Sequence, residues 1–171
     1  MKSRPDRPRP FANILCPIDF SEHSRAALRV ASELASDWAV RMTVLYVHDP
    51  TIAGVEAIVF PDCSLTDLRV EIKKFAATVM TPGRACAPTT RYVAVIGKPG
   101  REILRVATRF RSDLIVMGSR GLGGLTKLLL GSTTDRVVHH AAVPVLAIRS
   151  KARVRRRARK PAVTRSLRLA G

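Results

Sequence analysis

Five short apolar runs alternate with four longer amphipathic stretches along this chain of 171 residues. The apolar runs predict buried strands, whereas the stretches between them repeat apolar residues at the spacing of a helix. Strands that alternate with helices form a parallel sheet covered on both faces, with right-handed crossovers. The pattern therefore predicts an α/β fold, a single doubly wound, Rossmann-like domain with a five-stranded parallel sheet and four helices. The predicted strands span residues 12–18, 41–48, 91–96, 114–117 and 143–148, and the predicted helices span 22–37, 64–80, 100–111 and 132–141.

The helices carry local signals for their ends and their buried faces. Ser21, with Ser24 as an alternative, is expected to cap the first helix, and Pro82-Gly83 is expected to end the second. The side chains expected to face the core are Ala27, Leu28, Ala31, Leu34 and Ala35 in the first helix, Leu65, Leu68, Ile72, Phe75, Ala76 and Val79 in the second, and Ile103, Leu104, Ala107 and Phe110 in the third.

A glycine-rich stretch, residues 117–134, joins the fourth predicted strand to the fourth predicted helix. Its glycines at 118, 121, 123 and 124 give the backbone access to conformations closed to other residues and let it approach a ligand closely. Ser132 and Asp135 fit a capping box, and the amides at such a helix start attract phosphate. A plain connection, the alternative, needs only about 2 to 6 residues. The long loop, which also carries Arg120 and Lys127, therefore favours phosphate binding.

The spacing of Gly118-x-x-Gly121, nine residues, then Gly131-Ser132 resembles the nucleotide-binding motif of the universal stress protein family at every defined position. It is neither a P-loop nor a G-x-G-x-x-G fingerprint. The resemblance extends over residues 11–149, because other segments typical of the family occur in the same order. These are Pro17-Ile18-Asp19, Tyr46-Val47-His48, Gly97-x-Pro-Gly100 with Glu102-Ile103, Asp113 to Gly118, and Val143-Pro-Val-Leu146.

Membership of the ATP-binding type of this family implies a sheet of order 3-2-1-4-5 that holds ATP, with Mg²⁺, at the carboxyl ends of its strands. By this resemblance the backbone of Val47 contacts the adenine, and Pro17 and Ile18 lie beside the base. Asp19 lies near the ribose and the metal, although an aspartate after a strand is often only a turn residue. Met117, Gly118, Arg120 and Gly121 line the ribose and phosphates, and Gly131, Ser132 and Thr133 offer amides and hydroxyls to the phosphates. For Arg120 a solvated surface charge is the alternative.

Both ends of the chain are strongly basic. The formal net charge is +17, of which residues 1–10 contribute four basic and one acidic side chain and residues 151–171 contribute nine basic side chains and no acidic one. The interpretation is a disordered basic arm at 1–10, the domain at 11–150 and a disordered basic tail at 151–171. The tail is expected either to attract a polyanion, namely RNA, DNA or an anionic membrane surface, or only to increase solubility.

Several other features favour a cytoplasmic protein without a metal centre. No apolar run approaches the roughly 20 residues that span a bilayer, and residues 1–10 do not resemble a secretory signal. Cys16 is expected in the core, and Cys63 and Cys86 show no C-x-x-C spacing. His139 and His140 are adjacent, so they do not form a metal pair on a helix. Residues 51–64 are interpreted as a mobile loop, with a lid over the site as the alternative.

Three functions remain open from the sequence. The favoured one is an ATP-binding module for stress response or signalling, which the family resemblance implies, with dimers formed through the strand Val143 to Ile148. The second is a slow Mg-dependent ATPase, against which stand the absence of a Walker-type lysine and of an evident base other than Asp19. The third is a nucleic-acid-associated protein that uses the basic tail.

Overall fold

The computed structural model describes residues 10–51, 64–80, 89–120 and 130–150. Outside these ranges lie residues 1–9 of the N-terminal arm, residues 52–63 of the predicted mobile loop, for which a lid was the alternative, Pro82-Gly83, Gly121, Lys127, Cys63, Cys86 and the basic tail. Strands and helices alternate through the described residues as predicted. The strands are β1 (Asn13–Ile18), β2 (Arg41–His48), β3 (Thr90–Ile96), β4 (Leu114–Gly118) and β5 (Val145–Ile148), and the helices are α1 (Glu22–Trp38), α2 (Leu65–Val79), α3 (Pro99–Arg109) and α4 (Ser132–His140).

The five strands form one sheet of order β3-β2-β1-β4-β5, and every pairing is parallel. This confirms the predicted fold and strand order. β5 begins at Val145, two residues later than predicted, because Pro144 has no amide hydrogen to donate to a ladder. The carbonyl of Pro144 still contributes to the pairing with β4, because it accepts a hydrogen bond of 3.0 Å from the amide of Ile115.

Each face of the sheet packs against two helices. α1 and α2 cover the side chains of Ile14, Cys16 and Val44, whereas α3 and α4 cover those of Leu15, Leu45 and Ile115 on the other face. Since neighbouring residues of a strand point to opposite faces, the interiors of the central strands need mostly apolar residues on both faces. That requirement explains the continuous apolar runs of the sequence.

The ends of α1 follow from local chemistry. Ser21 is its N-cap, and the Ser21 hydroxyl accepts a hydrogen bond of 3.2 Å from the amide of Ser24. Ser24 lies within the helix, so the alternative cap is excluded. The helix ends at Ala39, which adopts a left-handed conformation with φ of 52°.

The predicted core residues are largely confirmed, with four exceptions and one omission. Leu65, the first residue of α2, was predicted to be buried but is 41% exposed. Leu34, Leu104 and Phe110 are only half-buried and pack against the margin of the core. Val106, which the pattern analysis omitted, is buried beside Ile103.

Candidate functional site

The predicted site residues lie on both sides of the point where the sheet reverses its winding. From β1 the chain adds β2 and β3 on one side, and β4 and β5 complete the other side. Ligands of open α/β sheets bind at the carboxyl ends of the strands beside such a reversal. Asp19 follows β1 there, and Ser119 follows the neighbouring strand β4.

The segment after β1 is strained and internally hydrogen-bonded. The Oδ1 atom of Asp19 accepts hydrogen bonds from the amide of Ser21 at 3.1 Å and from the Ser21 hydroxyl at 2.5 Å. Between them, Phe20 has a φ of 63°, which is unfavourable for a residue with a β-carbon. Packing holds it in place, since the Phe20 ring centroid lies 5.0 Å from that of Tyr46. Asp19 therefore orders the turn before α1, which is the structural role that was the alternative to a place near the ribose and metal.

The backbone of Val47 faces the space beyond the end of β1. At the start of β2, the amide of Arg41 donates to the carbonyl of Ala12, on the β1 side. Backbone groups alternate between the two neighbouring strands, so Val47 also faces β1. The register ends with Ile18 opposite Tyr46. The carbonyl of Val47 therefore points past the last residue of β1, while its side chain is buried under α3 and α4.

Gly118, at the end of β4, lies against the first turn of α1. A β-carbon at this position would lie 2.9 Å from the carbonyl carbon of His23 and 3.0 Å from its β-carbon. Real β-carbons do not approach backbone atoms this closely, so only glycine allows this packing. Its φ is not positive, which shows that steric room, rather than a special conformation, requires glycine here.

A network of hydrogen bonds fixes the start of α4 beside the end of β4. The buried hydroxyl of Thr134 donates to the carbonyl of Gly118 at 2.8 Å. The amide of Gly131 donates to the carbonyl of Ser119 at 2.9 Å, and the amide of Ser119 donates to the carbonyl of Ile148 at 2.8 Å. The two ends of the glycine-rich stretch are thereby held together, so that the start of α4 points at the carboxyl edge of the sheet.

The predicted capping box of Ser132 and Asp135 is wrong. Gly131 is the N-cap of α4, and no side chain caps the helix. Ser132 is the first helical residue, so Asp135 is one position too far along to complete the box, and its amide bonds to the carbonyl of Gly131 at 2.8 Å. Within the described residues, the amides of Ser132 and Thr133 have no hydrogen-bond partner. Unpaired amides at the positive end of a helix dipole are the groups that bind phosphate.

Two further polar residues line this region without having been predicted. Ser119 is 4% exposed, and its hydroxyl makes no hydrogen bond to any residue of the described ranges. Asp49, which follows β2, is buried and accepts hydrogen bonds from Thr51. These bonds, the side-chain bond first, lower the pKa of the Asp49 carboxyl. The only feature of the sequence that could have indicated Ser119 and Asp49 is that each follows an apolar strand.

The structure therefore brings most of the predicted site residues to one edge of the sheet. β1 supplies Pro17 and Ile18, which are buried, and the following Asp19 is half-buried. β2 supplies Val47, the end of β4 supplies Met117, Gly118 and the half-buried Arg120, and α4 supplies Gly131, Ser132 and Thr133. Gly121 lies outside the described residues. In the part of the chain that the structure covers, no group of three or more His, Cys, Asp or Glu side chains is arranged to hold a metal ion. None of the described helices is long and apolar enough to cross a bilayer.

These features define a doubly wound α/β domain with a helix N-terminus and a glycine-rich connection at its carboxyl edge. The sequence profile of the universal stress protein family matches residues 10–149. The chain belongs to the universal stress protein family.

Known proteins of this family share both sequence and fold with the chain. A universal stress protein of Thermus aquaticus is 32% identical, with 81% of this chain and 99% of the relative aligned. The solved structure of UspA from Lactobacillus plantarum has a TM-score of 0.63 at 29% identity, covering 81% of this chain and 97% of that one. A universal stress protein crystallised in complex with cAMP shares the fold with a TM-score of 0.58 at 20% identity, covering 81% of this chain and 96% of that one.

Proposed function

We propose that this protein is a nucleotide-responsive module that binds ATP, with Mg²⁺, at the carboxyl edge of the sheet and turns it over little or not at all. The observation that carries the proposal is the start of α4, where the amides of Ser132 and Thr133 lack partners within the described residues. The helix is nine residues long, so its dipole adds to the attraction for an anion. A universal stress protein of the same fold was crystallised in complex with cAMP, which supports an adenine nucleotide as the ligand.

The residues around this helix start fit a nucleotide. The carbonyl of Val47 faces the open space beyond β1, where it can accept a hydrogen bond from an adenine amino group. The guanidinium of Arg120 is suited to phosphate, and the Asp19 carboxylate is an oxygen ligand of the kind that Mg²⁺ prefers. Bound ATP would supply three phosphates for these groups to hold, and the network through Thr134 and Gly131 keeps the amides oriented toward them.

Replacement of Ser132 by proline tests the role of the helix amide directly. Proline removes the amide hydrogen yet is favoured at the first position of a helix. The preceding Gly131 has φ of −74° and ψ of 153°, the extended conformation that a residue before proline requires. The helix start should therefore survive. We expect Ser132→Pro to weaken Mg-ATP binding about tenfold or more in calorimetric titration, because a hydrogen bond to a charged group is lost.

Ser132→Ala is the matched control, since it removes the hydroxyl but keeps the amide. It is expected to bind Mg-ATP more tightly than Ser132→Pro, with both variants unfolding at the temperature of the unmodified protein. Equal affinity for all three proteins would contradict phosphate binding at this helix. No saturable binding by the unmodified protein would overturn the proposed function itself.

A homodimer through β5 is part of the proposal. β5 is an edge strand, and Leu146 on it and Val138 on the adjoining α4 are 39% and 42% exposed. Leu146→Lys is expected to shift the protein toward monomer in analytical ultracentrifugation. Leu65→Lys is the matched control, because Leu65 is equally exposed but lies on α2, away from that edge. A monomeric unmodified protein, or equal dissociation of both variants, would contradict a β5 interface.

The basic tail suggests a second activity, the binding of a polyanion. Nine basic side chains and no acidic one within residues 151–171 favour association with phosphodiester backbones through counterion release. Deletion of residues 151–171 is expected to weaken binding to RNA and DNA while Mg-ATP binding stays unchanged. Retention of the full affinity with the same salt dependence would exclude the tail as the binding element.

A further inference from the structure

A concave surface lies at the end of the sheet opposite the proposed nucleotide site. It is a groove of about 800 Å³ at the amino ends of β1, β2 and β3, bounded by α2 and by the end of α3. Six of its described lining residues are basic and none is acidic. The basic residues are Arg41, Arg69, Lys73, Arg91, Arg109 and Arg111. We call this surface the basic groove.

The charges of the basic groove are accessible, and no carboxylate of the described residues compensates them. All six basic residues are exposed, and none forms a salt bridge with a carboxylate of the described residues. Two other cations on the same helices are paired, Lys74 with Glu71 at 2.7 Å and Arg105 with Glu102 at 2.6 Å. Six like charges around one concavity repel one another, and a multivalent anion would relieve that repulsion.

Aromatic rings lie among these charges. The guanidinium carbon of Arg91 lies 4.6 Å from the ring centroid of Phe110, and that of Arg109 lies 5.8 Å from it. Tyr92, half-buried, lines the same groove. Guanidinium planes held against an aromatic ring can stack on unpaired bases while their edges bind phosphate. The arrangement suits a ligand with both phosphates and bases.

The open edge of β3 is poorly suited to an acidic peptide that adds a strand. The amide of Gly97 donates to the carbonyl of His48. The backbone N–H and C=O groups of odd-numbered residues of β3 therefore point toward β2, and those of even-numbered residues point outward. The outward carbonyl of Tyr92 is occupied, since the Nε of Arg69 donates to it at 3.3 Å. An added strand would have to displace Arg69. Side chains, rather than the strand edge, are therefore the binding groups.

We propose that the basic groove binds single-stranded nucleic acid, with phosphates on its arginine and lysine side chains and bases against the Phe110 and Arg91 stack. The Phe110 and Arg91 stack favours a single strand over a duplex, because the bases of a single strand are free to stack on it. The proposal does not depend on the nucleotide site, which lies at the opposite ends of the strands. It is also separate from the basic tail.

Fluorescence anisotropy of a labelled single-stranded RNA of about 12 nucleotides tests the basic groove in the full-length chain. The test variant is Arg41→Gln with Lys73→Gln, two side chains that make no hydrogen bond or ring contact within the described residues. The control is Arg29→Gln with Arg101→Gln, which removes the same charge from exposed positions outside the groove. All three proteins carry the same tail, so differences between the variants report on the groove.

The groove variant is expected to lose two phosphate contacts. Each contact to a single strand contributes about 0.7 to the slope of log affinity against log salt, so the slope should decrease by about 1.4. The affinity lost between about 50 mM and about 200 mM salt then shrinks about sevenfold, while the control keeps the slope of the unmodified protein. Equal slopes for the two variants would overturn the proposal.

Phe110→Leu separates nucleic acid from other phosphate polymers. It keeps an apolar side chain at the margin of the core but removes the ring, so RNA affinity should fall about fivefold or more while inorganic polyphosphate binds as before. Equal losses for both polymers would show a general anion site and reject the role of the bases. Ultraviolet cross-linking provides a direct readout, with cross-links expected at residues 89–92 or 109–111. Cross-links confined to residues 151–171 would place RNA on the tail alone.

Discussion

The α-carbon of Gly118 lies so close to His23 that an added β-carbon would be 2.9 Å from the His23 carbonyl carbon. Two residues far apart in sequence thus define how α1 packs on β4, at the edge where the nucleotide site is proposed. Gly118, the first glycine of the motif, is therefore required for the packing of α1 on β4, whether or not it also contacts a ligand. Loss of nucleotide binding in a Gly118 variant would accordingly not identify Gly118 as a binding residue.

Replacement of Gly118 by alanine should destabilise the protein. The clash is with backbone atoms, which cannot move without displacing α1, so we expect a decrease of about 1–3 kcal/mol in the free energy of unfolding by urea. Gly100→Ala is the control, because its β-carbon would meet the Cδ of Arg136 at 2.6 Å, and that exposed side chain can move. A Gly118→Ala protein as stable as Gly100→Ala would contradict the tight packing of α1 on β4.

Replacement of Thr134 by valine should affect both stability and the nucleotide site. It preserves the shape of the side chain but removes the buried hydrogen bond to the carbonyl of Gly118. Loss of that bond is expected to cost about 1–3 kcal/mol in urea unfolding and to weaken Mg-ATP binding, since the start of α4 is no longer fixed to β4. Thr134→Ser keeps the hydroxyl and should bind more tightly than the valine variant. Unchanged affinity in Thr134→Val would separate the anchoring of α4 from ligand binding.

The hydrogen bond from the Thr51 hydroxyl to the Asp49 carboxylate should make the stability of the protein depend on pH. The Thr51 hydroxyl donates to the Asp49 carboxylate at 2.7 Å, which lowers the pKa of Asp49. The resulting stabilisation is complete above the pKa of an unfolded aspartate, about 3.9, and is lost as the pH falls through the lower folded value. Thr51→Val should reduce the unfolding free energy by about 0.5–1.5 kcal/mol at neutral pH and by progressively less under acid conditions. Thr51→Ser should resemble the unmodified protein, and a loss in Thr51→Val that stays constant with pH would contradict this origin.

Strong local signals explain why the fold was predictable from the sequence. The interiors of the central strands are almost continuously apolar because helices cover both faces, and no helix of the domain has that pattern. The start of α4 was predicted at the observed residue, but its N-cap was misplaced by one residue, because glycine and serine both serve as N-caps, so that Gly131 and Ser132 are equivalent by local criteria. A one-residue shift was enough to remove the predicted capping box.

Local sequence patterns do not predict contacts between residues that are distant in the sequence. Nothing near Gly118 indicates that it packs on His23, and the charges of the basic groove are spread from Arg41 to Arg111 along the chain. The parallel register brings them together because β1, β2 and β3 begin at the same end of the sheet. The family resemblance named most of the candidate nucleotide site, whereas Ser119 and Thr134 required the three-dimensional arrangement.

Cys16 should be unreactive in the folded protein, in accordance with its predicted place in the core. It is 0% exposed, and burial raises the pKa of its thiol, so the reactive thiolate is scarcely formed. A variant with Cys63→Ser and Cys86→Ser leaves Cys16 as the only thiol of the chain. We expect no modification by iodoacetamide under native conditions at mildly alkaline pH, and complete modification in urea, as measured by mass spectrometry. Rapid native labelling would mean that β1 opens readily to solvent, contrary to its central place between β2 and β4.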